Sequence, residues 1–383
     1  MVRVSGPNVG AVASQVIGRL PKPRQASLRP FADSDGCQID EGLAIFFPAP
    51  GSFTGEDVLE LHGHGGPVLV SEVLRSILNA GARPAAPGEF SERAFLNGRL
   101  DLAQAEGVAD LINSATVTAA RSAMRSLKGE FSDQINAFNA VLADLRAYIE
   151  AAIDFPEEEI DFLTEGGVEA RVCSASQRLS QLQEGASQGA LLASGIRVVL
   201  AGQPNVGKSS LLNRLSTEDR VIVSDIAGTT RDVVTVSTEI EGLKVELVDT
   251  AGLRKAENAL EAEGVKRARR AIEEADLALL VVDDVSEAEG ANGGLENEWP
   301  APVDYILVRN KCDLSGRRIG VLDERSPPTV CVSAKTGAGL DALKRCIASA
   351  AGYQVGTEPP VMARQRHIQA INRAREYLVQ AET

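Results

Sequence analysis

The chain has 383 residues, 39 lysines and arginines against 53 aspartates and glutamates, and a formal net charge of −14. That length exceeds one compact domain and fits two or three, while 44% hydrophobic and 24% charged residues exclude wholesale disorder. The acidic balance argues against an extended phosphate-binding surface, and 4% aromatic content against a broad base-stacking platform; neither excludes one local phosphate site.

The first residues, MVRVSGPNVG, read as the inside of a strand and turn. Gly6 to Leu20 carries a short helical pattern that PKPR, Pro21 to Arg24, ends. Leu43 to Phe47 and Val58 to Leu61 read as strands, and a helix is predicted from about Pro67, with proline in its first turn and Gly81 past its end. Residues 1–98 are therefore expected to form an α+β domain. Beyond them, Leu127, Phe131, Ile135, Phe138, Leu142, Leu145, Ile149 and Ala152 recur in steps of three and four, one apolar helical stripe that must be buried against other helices. An acidic knot, Asp154 to Asp161, ends it, and a second helical pattern runs from Val168 to Ala193 and stops at Gly195. Residues 99–195 are the expected first part of an α-helical bundle.

At Ile196 the period changes. RVVLAG, LKVELVDTAG, LALLVVDD, DYILVRNKCD and TVCVSAKTG are β-branched runs with helical patterns between them, the signature of a largely parallel sheet covered by helices on both faces. This α/β unit spans 196–351, with a polar loop at Ser286 to Glu298. After Pro359-Pro360, Ile368, Ile371, Arg375 and Leu378 fall roughly on one helical side, so 352–383 reads as the second part of the bundle, with the α/β unit inserted into it. The longest apolar run, Leu277 to Val282, is six residues, too short for a membrane span. Five scattered cysteines without a C-x-x-C pair suggest a reduced, cytoplasmic setting.

Four spaced elements carry chemistry. GQPNVGKS, Gly202 to Ser209, follows a predicted strand and fits G-x-x-x-x-G-K-[ST]. Its glycines let backbone N–H groups of Asn205, Val206, Gly207 and their neighbours turn toward phosphate oxygens at a helix N-terminus. Lys208 is expected to reach the β- and γ-phosphates, Ser209 to offer its hydroxyl to Mg²⁺, and Ser210 to line the site. DTAG, with Asp249, Thr250, Ala251 and Gly252, ends the next central strand; Asp249 can hold Mg²⁺ through water and the Gly252 amide can meet a γ-phosphate. NKCD, Asn310 to Asp313, selects the base: the Asp313 carboxylate accepts from N1–H and the 2-amino group of guanine, whereas adenine leaves it unpaired. Asn310 can bond the guanine oxygen side, the Lys311 stem can cover the ring, and SAK, Ser333, Ala334 and Lys335, supplies a backbone N–H. Between the first two elements, Gly228, Thr229 and Thr230 begin GTTRD, where Thr230 is the choice for the Mg²⁺ shell and Thr229 for a neighbouring contact. Leu253 stands where many GTPases carry a water-orienting glutamine, so that role must come from elsewhere. The charged stretch Glu257 to Glu263 is either its source or a solvated helix start. His62 and His64 could be a metal pair, but a structural or ligand-lining turn is favoured.

GQPNVGKSSLLN, DIAGTTRD, DTAGLR, NKCD and SAKTG, with Leu253, resemble the translation-related GTPases that carry a hydrophobic substitution. SFTGEDVLELHGHGGP, PGEFSERAFLNGRLDLAQAEGVADLI and EAAIDFPEEEIDF narrow the resemblance to the MnmE (TrmE) family of tRNA modification GTPases, over nearly the whole chain. The resemblance implies a homodimer with a folate-binding N-terminal domain that takes a 5-formyl-tetrahydrofolate, contacted by Arg3, Glu60 and Arg99. It implies a heterotetramer with the FAD- and NADH-dependent MnmG subunit, which adds a carboxymethylaminomethyl-type group at carbon 5 of the wobble uridine of tRNA. It implies K⁺-stimulated GTP hydrolysis on dimerisation of the inserted P-loop G domains, with K⁺ held by Asn205 and by the segment Ser224, Asp225, Ile226, Ala227 to Thr230, chiefly Ser224, Ile226 and Thr229. Glu261 then becomes the water-orienting catalytic glutamate. The family pattern also has a P-P-G-R-G-x-x-G stretch ahead of the segment at Met1 and a C-terminal Cys-x-Gly-Lys, so this sequence reads as a three-part protein shortened at both ends.

Two other readings compete. A ribosome- or RNA-assembly GTPase switch would have no use for the N-terminal segment, and a folate-dependent transferase with an idle G domain conflicts with the complete motif set.

Overall fold

A computed structural model describes residues 1–154, 167–218, 234–249, 270–285, 303–323, 327–356 and 358–381. They fall into two compact units, Met1–Ala109 and Asp110–Thr383.

The first unit is α+β. Strands β1 (Val2–Ser5), β2 (Ser27–Ala32), β3 (Gln38–Phe47) and β4 (Val58–His62) form an antiparallel sheet in the order β1-β4-β3-β2. Helix α1 (Val9–Val16) follows β1, and α2 (Pro67–Asn79) and α3 (Glu89–Leu96) follow β4. Strand β3 alternates: Asp40, Gly42, Ala44 and Phe46 are buried while Glu41 and Leu43 face solvent. Val4, Phe31, Ala44, Leu59 and Leu61 share one core with Val9, Val12 and Val16 of α1 and Val73 and Ile77 of α2. Helix α2 starts where proline can serve, its missing N–H being one that a first turn leaves unbonded. The sequence reading missed β2 because Pro30 interrupts it. As the outermost strand, β2 has a side without a partner, where a residue lacking N–H costs no ladder bond.

Helix α4 (Leu102–Asn113) leads into the second unit, which begins with α5 (Val117–Leu127), α6 (Glu130–Asp154) and α7 (Val168–Ser194). The apolar stripe expected to be continuous from Leu127 is split: Leu127 closes α5, and Lys128 and Gly129, the latter at φ +95°, separate it from α6. Within α6 every seventh stripe residue, Phe131, Phe138 and Leu145, is buried, beside half-buried Ile135, Leu142 and Ile149.

The α/β part follows: β5 (Ile196–Ala201), α8 (Lys208–Glu218), β6 (Val234–Ile240), β7 (Leu243–Asp249), β8 (Leu277–Asp283), β9 (Tyr305–Asn310), β10 (Gly320–Asp323), β11 (Thr329–Cys331) and α9 (Leu340–Ala350). The sheet order is β10-β11-β9-β8-β5-β7-β6. Its five central strands are parallel, and the edge strands β6 and β10, neither anticipated from sequence, pair antiparallel. Residues alternate between two buried faces, so the strands read as continuous apolar runs. Val198 and Leu200 join a core with Leu211 and Leu215 of α8 and Leu343 and Ile347 of α9, while Val199 and Ala201 join a second with Ile272. The first core also takes in Ala119 and Ala123 of α5 and Leu192 of α7.

The closing helix α10 (Gln365–Ala381) lies along α7, where Gln183 bonds Asn372 at 2.8 Å and Arg375 at 2.9 Å. The segment before it is stitched to α5: buried Ser122 and Ser126 donate to the carbonyls of Pro360 and Met362, and Arg125 to that of Pro359. On its other side that segment meets α7 at Gly189, where a Cβ would collide with the Val361 carbonyl. Gly189→Ala should therefore cost about 1–3 kcal/mol by overpacking, read as a lowered midpoint in thermal or urea unfolding.

Candidate nucleotide site

Three of the sequence elements, and Asp249 of the fourth, meet at the carboxyl ends of the parallel strands, where open α/β sheets bind ligands. The loop from β5 into α8 holds Gly202, Asn205 and Gly207 at φ +145°, +64° and +99°, which turns successive amides toward one side of the chain. Gly207 admits no side chain: besides its positive φ, a Cβ there would strike the Asn310 amide nitrogen. Lys208, 6% exposed, donates its ammonium to the carbonyls of Gly202 at 3.0 Å and Gln203 at 2.7 Å. It is thus already folded back over the loop it would share with a phosphate.

Ser209 and Asp249 are brought together. The Ser209 hydroxyl donates to the Asp249 carboxylate at 2.8 Å, and that carboxylate is 5% exposed. A hydroxyl beside a buried carboxylate oxygen is the hard-oxygen donor set Mg²⁺ prefers, so the residues present fit the ion. Ser210, the next residue of α8, is exposed.

Asn310 makes two bonds within the protein besides the base contact expected of it. Its amide nitrogen donates to the Val206 carbonyl at 2.8 Å, and its amide oxygen accepts from the Ala334 N–H at 3.0 Å. Only 2% exposed, it braces the loops after β5, β9 and β11 against one another. Lys311, at φ +66°, adds a second brace, donating to the Asn205 carbonyl at 3.0 Å and to Asp283 at 2.6 Å. Asp313 is exposed and free to meet a base. Ser333 is fully buried and its hydroxyl accepts from the Thr336 N–H at 3.2 Å. With the Ala334 amide taken by Asn310, the Lys335 amide is the neighbour left for a guanine oxygen; the Lys335 carbonyl accepts from Arg214 of α8 at 3.3 Å.

Beneath this end of the sheet, Cys312 and Cys331 are buried against each other. Burial pushes the Cys312 thiol up to about 12 and that of Cys331 in the same direction, which makes both unreactive packing residues. None of the five cysteines forms a disulfide.

In the first unit, Arg3 and Glu60 face each other across β1 and β4 and join at 2.7–2.8 Å. The Arg3 guanidinium lies 5.5 Å from the Phe53 ring centre and 5.6 Å from that of Phe90, and lines a cavity of about 330 Å³ together with Ser5, Val12, Ile77 and Arg93. Arg99 is not among its walls: exposed, it lies against Gly55. His62 and His64 turn to different carboxylates, Glu60 at 3.2 Å and Asp40 at 2.7 Å. The His64 side chain and amide are the main reason the Asp40 carboxyl is held below its ordinary value. Among the described residues no group of three or more His, Cys, Asp or Glu is arranged to hold a metal.

The family described as the MnmE helical domain matches residues 102–383, and that described as the GTP-binding protein TrmE N-terminus matches residues 1–99. The tRNA modification GTPase MnmE of Coxiella burnetii is 50% identical over all of this chain and 84% of its own. Those of Methylococcus capsulatus and Vibrio cholerae are 49% and 48% identical, over 85% and 84% of their lengths. The chain belongs to the MnmE family of tRNA modification GTPases. It is accordingly a GTP hydrolase with an α+β N-terminal domain, a helical domain and a P-loop G domain. Among solved structures, the cytosolic domain of the T. maritima FeoB iron transporter is 26% identical over 43% of this chain and 66% of its own, with a TM-score of 0.31, too low to bear on the fold.

Several of the expected site residues lie outside the described ones: Ser224, Asp225, Ile226, Ala227, Gly228, Thr229, Thr230, Thr250, Ala251, Gly252, Leu253 and Glu261. So does most of the acidic knot. No described helix is long and apolar enough to cross a membrane.

Proposed function

We propose that this chain hydrolyses GTP at the braced loops after β5, β9 and β11, beside the end of β7, and couples that hydrolysis to modification of the wobble uridine of tRNA. The observation that supports it most is the convergence of Lys208, the Ser209–Asp249 pair, Asn310 and exposed Asp313 at one end of the sheet. Lys208 exchanges the carbonyls of Gly202 and Gln203 for β- and γ-phosphate oxygens, and the amides of Asn205 to Ser210 line the phosphates. Ser209, with Thr230, holds Mg²⁺, and Asp249 stands behind it; the bound ion neutralises charge that builds up on the phosphates. Asp313 and the Lys335 amide select guanine, with the Lys311 stem across the ring and Ser333 and Ala334, whose own amides are bonded to Ala338 and Asn310, shaping the loop that presents it. Glu261 orients the attacking water in place of Leu253. Asn205, Ser224, Ile226 and Thr229 hold K⁺, the fixed positive charge that other GTPases take from an arginine, and Asp225 to Gly228 and Thr250 to Gly252 contribute to GTP binding.

In the N-terminal domain, Arg3, with aromatic rings beside it and a cavity of about 330 Å³ beneath, suits a flat, anionic ligand such as 5-formyl-tetrahydrofolate. Glu60 orients Arg3, and Arg99 reaches the ligand from outside the cavity. The chain works as a homodimer, with the FAD- and NADH-dependent MnmG subunit as partner in the cytoplasm, and meets tRNA largely through that complex, in keeping with its charge of −14. Turnover of GTP in K⁺ against Na⁺ buffer, paired with a folate-binding titration, tests this reading. Faster hydrolysis in K⁺ together with saturable folate binding is expected. Indifference to the cation and no folate binding would favour the alternative, an RNA-assembly switch.

A further inference from the structure

The loop that carries Asp313 is too short to hold itself. Residues Cys312–Ser315 make a single helical turn, entered through Lys311 at φ +66° and left through Gly316 at φ +72°. One turn fixes several dihedrals for a single hydrogen bond and is unstable alone, so the position of Asp313 must be imposed from outside.

The end of β8 imposes it. Asp284, immediately after the strand, is completely buried, yet none of the nucleotide motifs uses it. Its carboxylate takes Arg309 at 3.2 Å and Arg317 at 2.9 Å, one on each side of the Asn310–Gly316 segment, and Ser315 within that segment also bonds it. Its neighbour Asp283 takes Lys311 at 2.6 Å. Two adjacent carboxylates thus hold the loop at both flanks and at two points inside it. Burial by itself would raise the Asp284 carboxyl, but the hydrogen bonds of Ser315, Arg317 and Arg309 outweigh it and keep the group ionised. A charge enclosed this way is expensive unless fully paired, and all three of these groups belong to the guanine loop or its borders.

We propose that Asp284 is a positioning residue for guanine selection, acting through Arg309, Ser315 and Arg317 to place Asp313. The inference rests on the reading of Asp313 as the base contact. It is tested by the affinity ratio for GDP over inosine diphosphate, which lacks only the 2-amino group that Asp313 would accept from. The wild-type chain should prefer GDP clearly, and Asp284→Asn should reduce that preference about tenfold, the loss of one hydrogen bond to a charged group. Arg317→Gln, at a side chain 41% exposed and so tolerant of change, should move the ratio the same way by less. If Asp284→Asn does not fold, Arg317→Gln decides the matter. Lower melting temperatures with an unchanged ratio would overturn the proposal and leave Asp284 a purely structural charge. Equal affinities of the wild-type chain for the two nucleotides would overturn the reading of Asp313 and this inference with it.

Discussion

Lys208→Ala should abolish GTP binding at micromolar nucleotide. In the folded chain this lysine is almost wholly buried, with its ammonium held on two carbonyls of the loop it must serve, Gly202 and Gln203. Phosphate oxygens offer it charge-assisted hydrogen bonds of about 1.5–3 kcal/mol each. Losing two of them weakens affinity by on the order of 10²–10⁴-fold. Truncation also leaves the two carbonyls without their donor inside a loop of left-handed residues, so no compensating repacking is at hand. A titration with a fluorescent GTP analogue reads this directly. A dissociation constant within a few-fold of wild type would mean that this loop is not the phosphate site, whatever its sequence.

Asp313→Asn should change which base is bound rather than whether one is. A carboxylate accepts two hydrogen bonds from the N1–H and 2-amino edge of guanine, whereas an asparagine amide presents one acceptor and one donor, so its NH₂ opposes one of the base's N–H groups. Sites that depend on such donors reject mismatched analogues by about 10⁴–10⁵-fold at the limit. For an exposed residue such as Asp313 a smaller loss, about 10²–10³-fold in GTP affinity, is expected. Xanthine carries an oxygen where guanine has its amino group, and that oxygen accepts from the new NH₂, so xanthosine triphosphate should gain what GTP loses. The measurement is the ratio of the two affinities in wild type and variant. An unchanged ratio would remove Asp313 from base selection.

What was legible in the sequence was what is local in the chain. Gly202 to Ser209, Asp249, Asn310 to Asp313 and Ser333 to Lys335 announce themselves because backbone turns and side-chain chemistry are encoded within a few residues, and the strand ends that carry them follow from β-branched runs. What depends on distant partners was not legible. A proline inside a strand run counts against the run, and only the place of β2 at the sheet edge makes room for Pro30. Strand β6 alternates well enough, but only its hairpin with β7 through Glu241 and Gly242, both at positive φ, explains why it runs antiparallel. The Leu127 stripe looked unbroken because Lys128 and Gly129 fit into a helical period while the backbone turned out of it.

The site itself shows the same division. Asn310 stands out by its motif, but its bonds inside the protein do not. A motif assigns a residue to a ligand, and nothing local reveals that both atoms of its amide are engaged by Val206 and Ala334. The pairing of Asp284 with residues 25 and 33 positions away was beyond any sequence pattern. Arg3 and Glu60 pair because they face each other in the β1–β4 register, which no local pattern encodes, and of Arg3, Glu60 and Arg99 only Arg3 lines the cavity.

The most direct test of the central claim is phosphate release by the full chain in Mg²⁺ and K⁺ buffer, with GTP and ATP supplied at equal concentration. Release from GTP alone is predicted, because Asp313 finds two donors on guanine and none in that position on adenine. Release from ATP at a comparable rate, or from neither nucleotide, would contradict it.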